Sequence, residues 1–269
     1  MRDPAGREAR PRRVVIALTR AVGPALGRCE LSHVERQPID PELAAAQHAG
    51  YEDALRQLGC RVVRVPAAPD LPDAVFIEDT AVVVDELAVI TRPGAPSRRA
   101  EVDAVGSVLA SYRPLRFVEA PATLDGGDVL VVGEDVFVGG STRTNREGAA
   151  RLRAVMEPLG YRVRRVPVEG CLHLKTAVTA VADDTLLLNP RWVDPGSFEG
   201  YRLVEVDPAE PFAANVLRVG DALLAAAAHP ATRRRLAASG LRVETVDVSE
   251  LAKAEAGVTC SAIILGEER

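Results

Sequence analysis

The stretch Gly160-Tyr161-Arg162-Val163 is one of five copies of a short pattern: Gly or Pro, any residue, Arg, and then an apolar residue. The other four copies begin at Gly59, Pro114, Gly200 and Gly240, so that neighbouring copies start 40 to 55 residues apart. Because glycine readily adopts the left-handed backbone conformation just beyond a helix, each copy predicts a helix end followed by a strand. The pattern therefore predicts a chain of five repeated units.

Between these copies lie pairs of short apolar runs, each pair separated by a tight turn, and such a pair predicts a β-hairpin. Four pairs are complete: 81–84 with 87–91, 129–132 with 136–138, 177–181 with 185–188, and 216–219 with 222–226. A fifth pair is split between the ends of the chain, with one run in 14–19 and the other in 261–265. We therefore expect the two ends of the chain to pair with each other.

Five such units predict a five-bladed α/β propeller, with pseudo-five-fold ββαβ modules around a central channel. A single unit is too small to bury its apolar face, and closing five of them in a ring removes the exposed sheet edges. An open, doubly wound sheet is the alternative arrangement of the same elements. Residues 14–269 are expected to form one domain, and residues 1–13, which are polar and carry five arginines, a mobile N-terminal tail.

Composition narrows the class of protein. The 269 residues, 47% of them apolar, are enough for a large core without metals or disulfides. A net charge of −5 argues against binding nucleic acid through bulk positive charge. No apolar run approaches the roughly 18 residues of a membrane span. The four cysteines form no CxxC pair and do not resemble a secreted disulfide framework, so we expect a cytoplasmic protein.

Several carboxylates interrupt the repeat and are candidates for a functional site. Asp73, Glu78 and Asp79 bracket a short apolar run, and if they converged their mutual repulsion would call for a cation. A guanidinium would suit, because its planar fork matches carboxylate geometry. The alternative is a strand with exposed acidic ends. Asp125 and Asp128 flank two glycines, which permit close approach of a ligand but also suit an ordinary turn before a hairpin.

Two further side chains could carry chemistry. His173 lies among apolar residues at the start of a predicted strand, where a packed structural histidine is the alternative interpretation. Cys260 lies between a loop and the last apolar run, so its sulfur could face the channel as a nucleophile. Arg98 and Arg143 both precede predicted helices, where the helix dipole disfavours a cation. Binding an anion would be a compensating reason for their position.

The segments that hold these residues, taken together, resemble the dimethylarginine dimethylaminohydrolases of the guanidino-group-modifying superfamily. The match runs from about Thr19 to Leu265. Its most specific parts are 71–79, 90–99, 123–130, 143–145, 172–175 and 258–260. The family fold is a five-bladed α/β propeller, in agreement with the independent count of repeats. The loop 32–38 departs from the pattern of familiar members.

The resemblance implies roles for individual residues. Cys260 would be the nucleophile, His173 the general acid and base, and Asp125 the residue that orients His173. The remaining positions would bind substrate: Asp73, Glu78 and Asp79 its guanidinium and α-amino groups, Arg98 and Arg143 its carboxylate, Leu31 as part of a closing loop, and Ala254 through its backbone.

The resemblance also implies the activity of the domain 14–269. It would hydrolyse Nω-methylated arginines, such as asymmetric dimethylarginine and monomethylarginine, to citrulline and methylamines through a covalent cysteine thiouronium. No cofactor or metal is expected, the partner would be the small-molecule substrate, and the resemblance allows a homodimer. Two alternatives are an arginine deiminase-like enzyme acting on another guanidino compound and, from a different class, a non-catalytic propeller that only binds a partner.

Overall fold

Five sheets of three strands each make up the computed structural model, which describes residues 14–267. The tail predicted for 1–13 lies outside the described residues. The first blade contains β1 Val14–Thr19, β2 Cys60–Arg64 and β15 Ile263–Glu267. The second contains β3 Ala81–Val83, β4 Ala88–Ile90 and β5 Leu115–Phe117. The third contains β6 Val129–Val132, β7 Asp135–Gly140 and β8 Arg162–Pro167.

The other two blades follow in chain order. The fourth contains β9 Val178–Ala180, β10 Thr185–Leu188 and β11 Arg202–Glu205. The fifth contains β12 Val216–Val219, β13 Ala222–Ala226 and β14 Arg242–Val246. In every blade the middle strand pairs antiparallel with the inner strand and parallel with the outer one. In the first blade the middle strand β1 pairs antiparallel with β15, so the two ends of the chain close the ring as expected.

Six α-helices lie in the described part of the chain: α1 Pro41–Gln57, α2 Val102–Leu109, α3 Arg146–Met156, α4 Leu174–Ala177, α5 Pro230–Ala238 and α6 Ser249–Ala252. In four blades a helix connects the middle strand to the parallel outer strand, the crossover that parallel pairing requires. The fourth blade uses a 3-10 turn, Pro195–Phe198, instead. No helix among these residues is long and apolar enough to cross a membrane.

The repeated Gly-x-Arg pattern has the predicted structural meaning. Gly59, Gly160, Gly200 and Gly240 have φ angles of 82° to 95°, the left-handed conformation that lets the chain turn from a helix or loop into the outer strand. The arginine that follows each glycine is exposed on that outer strand. These four glycines thus determine where the outer strands of the first, third, fourth and fifth blades begin.

The inner strands β3, β6, β9, β12 and β15 line a central cavity of about 220 Å³. Apolar clusters fill the space between neighbouring blades and between blades and helices. One example is the buried Phe137, whose ring lies 5.0 Å from that of Phe198. The observed arrangement confirms the five-bladed α/β propeller and excludes the open doubly wound sheet. The candidate site lies at one end of the channel that the five blades form.

Candidate active site

A small pocket of about 20 Å³ lies at one end of the channel, where the loops between blades meet. Seven of the ten site residues predicted from the sequence line it: Asp73, Asp79, Arg98, Arg143, His173, Ala254 and Cys260. A volume of this size holds about one water molecule. An amino acid can therefore enter only if part of the wall moves.

His173 lies at the N-cap of α4, so its prediction as the start of a strand is wrong. Its Nε2 lies 3.0 Å from Asp125 Oδ2, and its Nδ1 lies 3.7 Å from Asp79 Oδ1. Burial alone would lower the pKa of His173, but Asp79, Asp125 and Asp128 outweigh it and raise the pKa to about 9. At neutral pH His173 is therefore an imidazolium that can donate a proton.

Asp125 is completely buried behind His173 and does not line the pocket. Its second oxygen, Oδ1, accepts a hydrogen bond of 2.8 Å from the backbone N–H of Gly94. One carboxylate oxygen is thus fixed by the backbone while the other faces the imidazole. This geometry suits the predicted role of orienting His173.

Gly126 and Gly127 allow the segment 126–128 to pack closely against the residues around His173. A Cβ on Gly126 would collide with the carbonyl oxygen of Glu78. A Cβ on Gly127 would lie 2.6 Å from Asp79 Oδ1 and 2.7 Å from His173 Nδ1, closer than atoms of a folded protein can pack. The segment 126–128 forms a 3-10 turn into β6, which confirms the turn before a hairpin, and the close approach of a ligand stays a prediction.

Asp128 was singled out in the sequence but given no role. Its Oδ1 accepts a 3.0 Å hydrogen bond from the backbone N–H of Leu174, the residue after His173, and its Oδ2 accepts one of 2.5 Å from the hydroxyl of Ser141. Burial raises the pKa of Asp128 to about 6, against the opposing effect of His173. Asp128 therefore fixes the backbone on which the imidazole is carried.

Cys260 lies in the pocket as a neutral thiol. Burial, followed by the charges of Glu78 and Asp79, raises the pKa of Cys260 to about 12. The backbone N–H of Gly257 contacts its Sγ at 3.3 Å, and its carbonyl oxygen accepts a 3.1 Å hydrogen bond from the backbone N–H of Glu78. At neutral pH the thiolate is therefore disfavoured unless positive charge arrives.

Arg98 is held by the protein's own carboxylates. Its Nη1 lies 2.5 Å from Asp79 Oδ2 and its Nη2 lies 2.8 Å from Glu101 Oε2, with both partners buried. Burial would raise the pKa of Asp79, but His173 and Arg98 lower it, so the carboxylate is ionised. These contacts hold the ionised carboxylate of Asp79 in place, where it could bind a cationic ligand. The predicted contact of Arg98 with a substrate carboxylate stays a prediction.

Glu78 faces away from this pocket and lines the cavity between the inner strands. Its Oε1 accepts a 2.7 Å hydrogen bond from Lys175 Nζ, and its Oε2 accepts one of 2.6 Å from the Thr259 hydroxyl. Its predicted contact with substrate stays a prediction. In the present geometry it acts on the site through the backbone and the charge it presents to Cys260.

The loop around Leu31 covers the pocket and is held there by hydrogen bonds from its backbone. Glu30 N–H donates to both carboxylate oxygens of Asp73, at 3.2 and 3.1 Å. The backbone N–H groups of Ser32 and His33 donate to Glu255 Oε2 and Oε1, at 2.5 and 2.8 Å. Arg143 Nη2 also reaches the Ser32 hydroxyl, at 3.3 Å. Leu31 itself packs against an apolar cluster beside the first blade.

Glu255 was not predicted from the sequence. It is the one non-glycine residue with positive φ in the described chain, at 58°. A side chain other than glycine, asparagine or aspartate in this left-handed region costs about 1–2 kcal/mol. The two hydrogen bonds to the loop offset that cost, so the strained backbone and the closed loop depend on each other.

Asp79, Asp125 and His173 could each offer one ligand atom to a cation, since these atoms lie within 4.8 Å of one another. A metal would have to displace the proton of His173, whose pKa the same carboxylates raise to about 9. It would also compete with Arg98 for Asp79. This donor set therefore favours a proton on the imidazole over a metal ion.

The chain is similar to proteins of known family. The arginine deiminase family model matches residues 66–215. An N(G),N(G)-dimethylarginine dimethylaminohydrolase of Streptomyces coelicolor is 44% identical over 253 residues, which cover 93% of this chain and 97% of that protein. A Pseudomonas aeruginosa protein of the same name is 35% identical over 227 residues, covering 83% and 89%.

Solved structures match over the same length. A Cys-to-Ser mutant of the Pseudomonas aeruginosa enzyme, complexed with citrulline, superposes with a TM-score of 0.89 at 32% identity, over 93% of this chain and 98% of that one. A His-to-Gly variant of a dimethylarginine dimethylaminohydrolase, as an adduct with S-methyl-L-thiocitrulline, gives 0.88 at the same identity and coverage. With the five-bladed fold, these matches show that the chain belongs to the dimethylarginine dimethylaminohydrolase family, within the amidinotransferase-like superfamily.

Proposed function

We propose that this protein hydrolyses Nω-methylated arginines to citrulline and methylamines, with Cys260 as nucleophile and His173 as general acid and base. One observation carries the proposal: one pocket holds a neutral thiol, an imidazolium and the ionised carboxylate of Asp79. That set suits a planar cation whose carbon is to be attacked by sulfur. The names of the relatives, and the citrulline complex of one of them, support the same reaction.

Substrate binding begins the chemistry. The guanidinium would lie against Asp79, and its positive charge would lower the pKa of Cys260, so that the thiol proton leaves to solvent. The thiolate then attacks the guanidino carbon and forms a neutral tetrahedral adduct. His173 donates its proton to the methylated nitrogen, from the ring nitrogen that does not face Asp125. The C–N bond breaks, the amine departs, and an S-alkylthiouronium cation remains on Cys260.

Hydrolysis then restores the enzyme. The neutral His173 removes a proton from water, and the resulting hydroxide attacks the same carbon. The C–S bond breaks and citrulline leaves. The hydroxyl proton of the adduct passes to sulfur, so the thiol is reformed and His173 is again an imidazolium. The high pKa of His173 favours the protonated state with which the next cycle begins.

The remaining predicted contacts concern the ends of the substrate. Asp73 would bind the α-amino group. Arg143 is the cation in the pocket wall best placed for the carboxylate, since among the described residues its Nη2 donates only to a serine hydroxyl, at 3.3 Å. Both side chains now contact the loop at 30–32. Entry of substrate would therefore exchange loop contacts for substrate contacts.

The four cysteines are free thiols, which is typical of a reducing compartment and supports the cytoplasmic assignment. The homodimer allowed by the resemblance stays a prediction.

An arginine deiminase-like activity is the second candidate, because the arginine deiminase family model covers residues 66–215. Citrulline release from asymmetric dimethylarginine, monomethylarginine and arginine at equal concentrations separates the two. We expect turnover of the methylated substrates to exceed that of arginine. Release from arginine alone would replace the proposal with a deiminase, and release from none would overturn both.

A further inference from the structure

A layer of polar side chains separates the active-site pocket from the cavity between the inner strands. Glu78, Lys175 and Thr259 face the cavity. Asp79, His173 and Cys260, one or two positions away on the same three segments, face the pocket. The contacts that hold these polar side chains in place therefore also set the positions of the catalytic side chains.

Asn215, just before β12, lies at the centre of this layer and is buried. Its Nδ2 donates hydrogen bonds to Thr259 Oγ1 at 3.0 Å and to the carbonyl oxygen of Lys175 at 3.1 Å. Its Oδ1 accepts one of 3.0 Å from the backbone N–H of Thr259. One amide therefore joins the segment of the nucleophile to the segment of the acid and base.

We infer that Asn215 is a positioning residue, which sets the placement of the Cys260 sulfur relative to the His173 imidazole. The inference rests on the proposed function for the roles of those two residues. Asn215 reaches neither of their side chains, so it would act only through Thr259 and Lys175.

The neighbours of the amide fix it in one orientation. The Thr259 hydroxyl donates to Glu78 Oε2, so it can only accept from Asn215. A Cβ on Gly257 would collide with the Asn215 side chain, so the nucleophile loop packs directly on the amide. Thr259 is also buried, and the bond from its backbone N–H has no competition from bulk water.

Loss of the amide would leave the buried N–H of Thr259 without its acceptor, and the Thr259 hydroxyl and the Lys175 carbonyl would each lose one donor, so both segments would relax. Reaction between sulfur and carbon depends on alignment within a few tenths of an ångström, whereas binding of substrate by the pocket carboxylates does not. Removal of Asn215 should therefore reduce kcat more than it raises KM.

The test compares Asn215→Ala with Asn189→Ala. Asn189 is also buried, and its side chain makes two hydrogen bonds where that of Asn215 makes three: to the carbonyl of Pro211 at 2.9 Å and from the N–H of Arg191 at 3.0 Å. It follows β10 and does not line the pocket. Both variants should lower Tm. Only Asn215→Ala should lower kcat, by roughly 10²-fold, with a much smaller change in KM. Equal kcat values for the two variants would overturn the inference.

Thr259 gives a second pair of variants that does not depend on Asn215→Ala folding. Thr259→Ser keeps the hydroxyl and should retain most of kcat, whereas Thr259→Val should lose it. In the double variant Asn215→Ala with Thr259→Val, the loss should be well below the product of the two single losses, because both changes break one network. A multiplicative loss would contradict the network.

Alkylation of Cys260 by a neutral reagent at pH 8, followed by peptide mass analysis, needs no substrate. Because burial is the main cause of the raised thiol pKa, loosening the loop in Asn215→Ala should speed this alkylation while Asn189→Ala leaves it unchanged. If the wild-type protein released no citrulline, the proposed function would fail, but this comparison would still decide the role of Asn215. Identical alkylation rates in both variants would count against it.

Discussion

At the scale of single residues, the site depends on the protonation states of two side chains, the imidazole of His173 and the thiol of Cys260. His173 carries a proton because three carboxylates surround it, and Cys260 keeps its proton because the half-buried thiol is desolvated beside two carboxylates. The same negative field thus prepares the acid and suppresses the nucleophile. At neutral pH a cation that binds in this negative field favours the thiolate, which makes the nucleophile depend on the substrate.

The ionisation of Cys260 is the first prediction. In the free protein the thiol should titrate well above the ordinary value of about 8.5, because burial and the carboxylates disfavour the anion. Neutral alkylating reagents should therefore react slowly at pH 7 and faster as pH rises. An amidinium-bearing reagent of equal intrinsic reactivity should react much faster at pH 7. Ultraviolet titration against Cys260→Ser measures the pKa, and a value near 6 would indicate a preformed thiolate–imidazolium pair instead.

The second prediction concerns the pairing of His173 with Asp125. The raised pKa means that the general acid of the free protein is present below about 9 and is lost as pH rises through that value, so kcat/KM should fall on the basic side. Asp125→Asn removes one of the raising charges and should move this fall to lower pH. The stability that His173 contributes is likewise present below its ordinary value of 6.5 and lost as pH rises through about 9.

A matched variant separates this effect from a general loss of charge. Asp135→Asn also removes a buried carboxylate, whose partners Arg162 and Arg164 lie on the outer strand β8. Its kcat/KM profile should keep the wild-type basic limb. If Asp125→Asn also kept that limb, Asp125 would not tune the imidazole.

At the scale of elements, the loop over the pocket depends on one carboxylate. Glu255→Gln would weaken the two bonds to Ser32 and His33, and hydrogen bonds to charged groups contribute about 1.5–3 kcal/mol. The loop should open more often, so amide hydrogen exchange at residues 32 and 33 should accelerate and KM should rise. Hydrogen exchange read by mass spectrometry or NMR measures the opening directly.

Glu210 offers the control, because its carboxylate also accepts from two successive backbone N–H groups, those of Ala231 and Thr232, at 2.8 Å each. Glu210→Gln should accelerate exchange at the start of α5 and leave KM at the wild-type value. Unchanged exchange at 32 and 33 in Glu255→Gln would mean that other contacts hold the loop.

The helices and strands also show which features can be predicted from the sequence and which cannot. The strands and the positive-φ glycines follow from local patterns, because a hairpin or a helix end is encoded within a few residues. His173 was expected in a strand because the four residues of α4 are too few to show helical periodicity. The ion pair of Arg98 with Asp79 was not predicted, because the two residues lie 19 positions apart and meet only in the folded chain.

At the scale of the whole molecule, the repeat count was sufficient to predict five blades and the pairing of β1 with β15. It was not sufficient to predict the polar layer that divides the channel. Glu78 and Asp79 are neighbours of the same charge, and which of them faces the pocket depends on how three blades pack together. Asn215 and Glu255 were missed for the same reason, since their partners lie 40 or more residues away.

The most direct test is mass spectrometry of the protein during turnover, which detects a covalent adduct on Cys260. Wild-type protein mixed with asymmetric dimethylarginine and quenched in acid should show a covalent adduct on the peptide that carries Cys260, of the mass expected for the thiouronium. His173→Ala should retain that adduct longer if it forms, because the neutral imidazole activates the hydrolytic water. Cys260→Ser should show neither adduct nor citrulline. Citrulline release by Cys260→Ser, or wild-type turnover without any adduct at Cys260, would contradict the mechanism.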